Sequence, residues 1–428
     1  MDIIEKQNVI EIDDAFRENV KERFIRYAKI YSTSSSENAD KGIIPSTPQQ
    51  FDFARELKKE LESLGFKNIQ LTENCYLYAN IPATLGFEKT KPFCLLAHMD
   101  TVEEVSGLNV NPQVFKNYDG KIIDLKGGIK LDPSKIPALR QAAEESDTVI
   151  TTDGTTLLGG DDKAGITIIV SALEYLMSHK DIPHGKIEVI FSPDEETGHG
   201  MDKVPLNLLE SKFAYTVDGG HLGELESECF NAFRSDITFK GIASHTNNAR
   251  ANGMVNAISM AGAFIQSLPR GESPETTDGR LGFYCPLKIN GSMEEASVSL
   301  FLRDFDKDNM EKRKALVEQL AFAAASSFGG KAEVKHVQQY LNMKEGLDKV
   351  PYVKEVLINA YKVCGVEPVM TPIRGGTDGS RLTEMGIPTP NIFTGAHNYH
   401  SASEWVSLKQ MVKATEIIIE LSSMITKL

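Results

Sequence analysis

The sequence predicts an α/β protein in which an α/β domain, formed by both ends of the chain, carries an inserted ferredoxin-like α+β domain. Two observations predict this fold class. Short apolar runs typical of buried strands alternate with runs of helical spacing over the first half of the chain. The middle section then shows the order β-α-β-β-α-β, which is that of a ferredoxin-like domain. The predicted bounds are residues 1–224 and 341–428 for the outer domain and residues 225–340 for the insert.

The elements of the first section follow from the spacing of apolar residues. Amphipathic helices are predicted over residues 14–30 and 47–64, and Gly65 suits the C-cap of the second. A further apolar helix and four strands follow, in chain order strands 75–79 and 92–97, helix 164–179, and strands 186–191 and 213–217. Residues 103–150 are polar and rich in turn formers, and they are predicted to be irregular.

The middle section of the chain shows a different pattern of elements. Its predicted elements are strand 233–240, helix 253–268, strands 282–290 and 296–304, helix 307–327 and strand 332–340. At about 110 residues, this section is long enough to fold as a unit of its own.

Composition excludes several classes of function. The 428 residues include 46 Lys plus Arg and 60 Asp plus Glu, a net charge of −14, so nucleic acid and anionic lipid are not expected partners. No apolar run reaches the roughly 18 residues of a membrane span, and the N-terminus shows no secretory signal pattern. The five cysteines are widely spaced and form no CxxC, which favours reduced thiols in the cytoplasm.

Acidic and histidine residues recur just past the predicted strands, where open α/β sheets place their sites. These residues are His98 and Asp100, Asp161 and Asp162, Glu195 and Glu196, Asp218, and His400 with Glu404. Each has an ordinary interpretation when taken alone, such as a solvated strand end, a helix N-cap, an acidic loop, a turn or a hydrogen-bonded histidine. Imidazole and carboxylate without thiolate are ligands for zinc, manganese or cobalt.

A site for two metal ions explains the whole set. One ion would take His98, Asp161 and Asp218, and the other would take Asp161, Glu196 and His400. Since side chains alternate along a strand, His98 and Asp100 point the same way, and Asp100 can accept a hydrogen bond from the imidazole.

These residues lie in longer motifs through which the chain resembles the M20 family of metallopeptidases, and within it the tripeptide aminopeptidases. The motifs are HMDT at 98–101, ITTDGTTLLGGDDKAG at 150–165, SPDEETG at 192–198, TVDGG at 216–220 and RGGTDGS at 374–380. The second is long and highly specific. The resemblance implies a zinc-peptidase catalytic domain, with the insert acting as a lid or dimerisation domain.

The resemblance also implies a reaction and the residues that carry it. The enzyme would release the N-terminal residue from tripeptides by using two divalent ions, with zinc expected and cobalt or manganese as alternatives. Glu195 would be the general base, and Asp100 would support His98. The metal ligands would be His98, Asp161, Glu196, Asp218 and His400, with a cis peptide after Asp161. His245, Arg303 and Arg374 would bind the substrate.

Some alternatives stay open. His397 competes with His400 as a ligand, although the spacing to Glu404 favours His400, and Ser401 stands where the family pattern has glycine. A dipeptidase or an N-acyl amino acid amidohydrolase of the same family would use the same metal chemistry. A peptide- or metal-binding protein without catalysis is disfavoured because Glu195 is present. The expected partners are short peptides, and a homodimer is a further prediction.

Overall fold

The computed structural model describes residue 10 and residues 12–428, and it confirms the predicted fold class. The chain forms two compact units. The first contains the described residues up to Ser227 together with Glu345–Thr371 and Thr377–Leu428. The second contains Glu228–Lys344 and Pro372–Gly376.

The first section of the chain alternates helices and strands. Its elements are α1 (Asp14–Ala28), α2 (Ser36–Ala39), α3 (Gln50–Leu64), β1 (Lys67–Leu71), β2 (Leu77–Ile81), β3 (Phe93–His98), β4 (Gln113–Phe115), β5 (Ile123–Asp124), β6 (Lys130–Leu131), α4 (Pro137–Glu144), β7 (Val149–Thr151), α5 (Gly160–Ser178), β8 (Ile187–Ser192), β9 (Ala214–Gly219) and β10 (Glu224–Glu226). Helix α3 ends at Gly65, which has the left-handed φ of 89° that a glycine C-cap provides.

The rest of the chain forms the insert and then returns to the first unit. The insert has β11 (Asn231–Lys240), α6 (Ala257–Ser267), β12 (Phe283–Gly291), β13 (Glu295–Asp304), α7 (Lys307–Phe328) and β14 (Lys331–Tyr340). After it come α8 (Lys344–Asp348), α9 (Pro351–Val363), β15 (Val369–Met370), α10 (Asp378–Glu384), β16 (Asn391–Phe393), β17 (Ala396–His397), β18 (Trp405–Ser407) and α11 (Leu408–Ile425).

The first unit is built on an eight-stranded mixed sheet with the order β1-β2-β8-β3-β9-β16-β10-β15. Strand β3 is parallel to both β8 and β9, so the carboxyl ends of these three strands meet at one edge of the sheet. Every residue of β3 and β8 is buried, as expected for central strands covered on both faces. Smaller sheets, β17-β18-β7-β4 and β5-β6, complete the unit.

Helix α5 packs against β3 and β9 and brings its N-terminus to the same edge. Its close approach depends on Gly165, because a Cβ atom there would lie 1.9 Å from the carbonyl oxygen of Val217. Helix α5 is itself covered by α1 and α11 and is buried over most of its length.

The insert is a four-stranded antiparallel sheet with the order β12-β13-β11-β14, the ferredoxin-like arrangement. Helices α6 and α7 pack on it and enclose a separate core that includes Phe239, Phe264 and Leu300. Within residues 12–428, no helix is long and apolar enough to cross a membrane.

Candidate metal centre

The edge where β3, β8 and β9 end gathers most of the residues singled out from the sequence. Strand β3 ends at His98, and β9 carries Asp218 near its end. The turn after β8 holds Glu195 and Glu196 in one turn of 3₁₀ helix. Asp161 lies in the first turn of α5, and its peptide bond to Asp162 is cis, as the resemblance implies.

Asp161 lies between two histidines and faces each with a different oxygen. Its Oδ1 atom is 2.8 Å from Nε2 of His98, and its Oδ2 atom is 3.3 Å from Nε2 of His400. His98 Nε2 is also 3.6 Å from Oδ1 of Asp218, and His400 Nε2 is 3.1 Å from Oε2 of Glu196. These contacts divide the five side chains into two sets that share Asp161.

The donor set suits divalent cations. Ligand atoms of His98, Asp161 and Glu196 lie within 4.8 Å of one another, and so do those of His98, Glu195 and Asp218. The buried Oε1 atom of Glu196 has no hydrogen-bond partner among the described residues. An unpartnered buried carboxylate oxygen is costly, and a bound cation would remove that cost.

The electrostatics of the cluster also favour cations. Burial, together with the neighbouring Asp161 carboxylate, raises the pKa of Glu196 to about 8. Burial likewise raises the pKa of Asp218 to about 6 and that of Glu195 well above its usual range. For His98, burial lowers the pKa, but hydrogen bonds to Asp100 and to the Asp161 and Asp218 carboxylates raise it overall. Packed carboxylates with raised pKa values form a site that positive charge would stabilise.

Asp100 supports the cluster in two ways. Its backbone carbonyl oxygen is 3.0 Å from Nδ1 of His98, closer than its carboxylate oxygen Oδ1 at 3.4 Å. The carboxylate instead accepts the backbone N–H groups of Glu195, at 3.0 Å, and Glu196, at 3.2 Å. Asp100 therefore connects the end of β3 to the turn after β8.

His400 and His397 have different surroundings. The ring of His397 stacks on that of Trp405 with a centroid separation of 4.2 Å, and its Nε2 atom is buried without a hydrogen-bond partner among the described residues. His400 instead faces Asp161 and Glu196. The structure thus brings His400, and not His397, into contact with the acidic cluster.

Comparison with known proteins identifies the family. The profile of peptidase family M20/M25/M40 matches residues 147–423, a range that contains Asp161, Glu195, Glu196, Asp218 and His400. The chain belongs to the M20 peptidase family. It is therefore a hydrolase, and the resemblance seen in the sequence is confirmed.

Relatives of the M20 chain match it over nearly its whole length. A protein named Peptidase T from Geobacillus kaustophilus is 44% identical over 409 residues, which is 95% of this chain and 98% of that protein. A Peptidase T from Bacillus licheniformis is 46% identical over 404 residues, covering 94% of this chain and 97% of the relative.

Solved structures of M20 proteins share the fold. The crystal structure of aminopeptidase PepT from Bacillus cereus has a TM-score of 0.74 at 22% identity, covering 96% of this chain and 98% of that one. A dinuclear metal-binding peptidase of the M20 family from Bacillus subtilis has a TM-score of 0.65 at 14% identity, covering 97% and 99%. At sequence identities of 22% and 14%, these matches show that the fold is shared and nothing more.

The three residues predicted to bind substrate lie in the second unit of this M20 chain. His245 is exposed and accepts the N–H of Asn247 through its ring at 3.2 Å. Arg303 is buried and donates to the carbonyl oxygens of Leu302, at 2.9 Å, and Phe233, at 3.3 Å. Their part in binding a substrate stays a prediction.

Arg374 has a dense set of contacts within the same unit. Its guanidinium donates to the carbonyl oxygens of Thr277, Gly279 and Leu281 at distances of 2.8–3.2 Å. It also lies over the rings of Phe230 and Phe283. Arg374 therefore holds the 277–281 loop, a contact that the sequence motif did not indicate.

Sequence reasoning left some residues of the M20 site without a role. Asp162 is buried, and its carboxylate accepts the N–H groups of His98, at 3.2 Å, and Gly165, at 3.1 Å. Asp378 is buried and accepts the hydroxyl of Ser192. The sequence does contain a signal for both residues, since each is an acidic residue inside one of the motifs that carry the family resemblance.

Proposed function

We propose that the chain is a tripeptide aminopeptidase that uses two divalent metal ions. The observation that carries the proposal is the position of Asp161, whose two carboxylate oxygens face His98 and His400 separately. The Peptidase T relatives at 44% and 46% identity support the aminopeptidase class.

The proposed ligands form two sets that share Asp161. His98, Asp161 and Asp218 would hold one ion, and Asp161, Glu196 and His400 would hold the other. Two divalent ions in such a site polarise a peptide carbonyl and activate a water nucleophile. Zinc is the proposed metal, and cobalt and manganese suit the same ligands.

Glu195 is the proposed general base. Burial raises its pKa, which makes its carboxylate a stronger proton acceptor, and its backbone N–H is held by Asp100 beside the proposed ligand Glu196. It would take the proton from the attacking water and give it to the leaving amine. His245, on the insert, would help to hold the substrate carbonyl as it gains negative charge, and Arg303 and Arg374 would recognise the ends of the peptide.

The deciding experiment is an assay of the zinc-loaded protein on free trialanine, with dialanine, tetra-alanine and N-acetyl-trialanine in parallel. We expect release of one N-terminal alanine from trialanine alone, with loss of activity when a chelator is added. Cleavage of dialanine or of the acetylated peptide would instead favour the dipeptidase or amidohydrolase alternatives. No cleavage of any of the four would overturn the proposal.

A cytoplasmic location and a homodimer are part of the same proposal. All five cysteines are free, which suits a reducing compartment. Sedimentation or light scattering of the purified protein would measure its oligomeric state, and a monomer would contradict the homodimer.

A further inference from the structure

The segment before α3 and the first residue of α3, together residues 46–50, pack on the turn that carries Glu195. Ser46 and Gln50 of this segment and Asp194 of the turn are all buried, with relative exposures of 2%, 0% and 0%. About 145 residues of chain separate the two sides. Asp194 follows β8 and immediately precedes Glu195 and Glu196.

The Asp194 carboxylate is surrounded by donors from this segment. Its Oδ2 atom accepts the backbone N–H of Ser46 at 2.7 Å, and its Oδ1 atom accepts the Ser46 hydroxyl. Oδ1 also accepts a hydrogen bond from Nε2 of Gln50 at 2.6 Å. The side-chain oxygen of Gln50 in turn accepts the Asp194 backbone N–H at 3.2 Å. Gln50 thus binds both the side chain and the main chain of Asp194.

As a result, three successive backbone N–H groups of the turn are bound by side chains from elsewhere. Gln50 accepts from Asp194, and the two oxygens of Asp100 accept from Glu195 and Glu196. Asp194 itself has a φ of 57°, in the left-handed region that is unfavourable for most side chains. A residue in that conformation persists only where its surroundings hold it, and here Ser46 and Gln50 supply most of those contacts.

We infer that Ser46 and Gln50 are positioning residues for the reaction. They hold Asp194 in place, and the backbone conformation of Asp194 sets the direction of the next residue, Glu195. The inference rests on the proposed function because it takes Glu195 to be the base. A general base must lie within hydrogen-bond reach of the proton it removes, so a small displacement of the turn lowers the rate of the chemical step.

The test is a comparison of kcat, KM and bound metal for Gln50→Ala and Ser46→Ala at saturating zinc. For Gln50→Ala we expect kcat to fall about ten- to a hundred-fold, with KM changed by no more than about twofold. Ser46→Ala loses only the hydroxyl and keeps the backbone donor, so a smaller fall is expected. It is also the milder variant if Gln50→Ala folds poorly.

Gln410→Ala is the matched control. Gln410 is also buried, and its side-chain oxygen accepts a backbone N–H, that of Leu222, at 3.0 Å. Its loss should lower the melting temperature by a similar amount while kcat of the folded enzyme stays near wild type. If Gln50→Ala behaves in the same way, with lower stability and unchanged kcat, Gln50 is structural only and the inference is wrong. An inactive wild type would instead show that the proposed function had failed.

Discussion

Glu404 binds the main chain of Asp161 across 243 residues of sequence: its Oε1 atom accepts the Asp161 N–H at 3.1 Å. The other oxygen, Oε2, accepts the N–H groups of Leu158, at 2.7 Å, and Gly159, at 2.8 Å. Glu404 is buried, with 1% of its surface exposed. One carboxylate therefore fixes the loop that delivers Asp161 to the two histidines.

We predict that Glu404→Gln weakens metal binding. The amide has one acceptor oxygen, so its NH₂ group would face backbone N–H groups that now donate to Glu404. We expect a ten- to hundred-fold loss of affinity, about the effect of removing a residue that orients a metal ligand. Metal content after dialysis against graded chelator would measure it. The exposed Glu62→Gln on α3 is the control, and equal retention by the two variants would contradict the prediction.

Two neighbouring carboxylates are predicted to differ in their roles. Glu195→Gln should keep both ions and lose about 10² to 10⁴ in kcat, since general base catalysis contributes that much. Glu196→Gln should instead lose affinity for one ion, because Glu196 faces His400. Titration calorimetry with zinc, together with kcat, would separate them. A Glu195→Gln variant with the wild-type rate would show that another group takes the proton.

The main elements of the fold were predictable because they are long and apolar. The strand predicted at 92–97 is β3 (Phe93–His98), and the one predicted at 186–191 is β8 (Ile187–Ser192). The prediction that residues 103–150 are irregular was wrong for part of that stretch. It contains the helix α4 (Pro137–Glu144) and several strands, such as β5 (Ile123–Asp124). These strands are too short to show a period in the sequence.

The candidate site was predictable to the same extent. Parallel strands end at one edge, so residues at their carboxyl ends are expected to meet, as His98 and Asp218 do. The contacts of Gln50 with Asp194 were not predictable. No spacing in one sequence indicates which residues about 144 positions apart will meet, because tertiary packing alone decides it.

Arg374→Ala is predicted to loosen the 277–281 loop. The loop carbonyls that Arg374 binds would lose their donors, and the cation–π contacts with two phenylalanine rings would be lost as well. Arg280, a trypsin site, lies inside the loop, with 59% of its side chain exposed. Limited trypsin digestion should therefore cut after Arg280 faster in the variant. The exposed Arg250→Ala, also on the insert, is the control, and equal rates would mean that the loop is held by other contacts.

His184 is predicted to make stability depend on pH. It is buried, with 4% of its surface exposed, and burial lowers the pKa of its imidazole. Its Nδ1 atom is 2.8 Å from the carbonyl oxygen of Gly185. As pH falls through the unfolded value of about 6.5, the unfolded chain takes up a proton before the folded protein does, so stability is lost on the acid side.

His184→Asn tests this, because its amide can donate to the same carbonyl and does not titrate. The wild type should exceed the variant in unfolding free energy by more at about pH 7.5 than at about pH 5, with the gap changing by at most about 1.4 kcal/mol per pH unit. Chelator would be present in both samples to remove metal effects. His179→Asn is the control, since exposed His179 also has Nδ1 near a carbonyl oxygen, that of Tyr175 at 2.9 Å. A gap that is the same at both pH values would show that His184 titrates alike in the folded and unfolded chain.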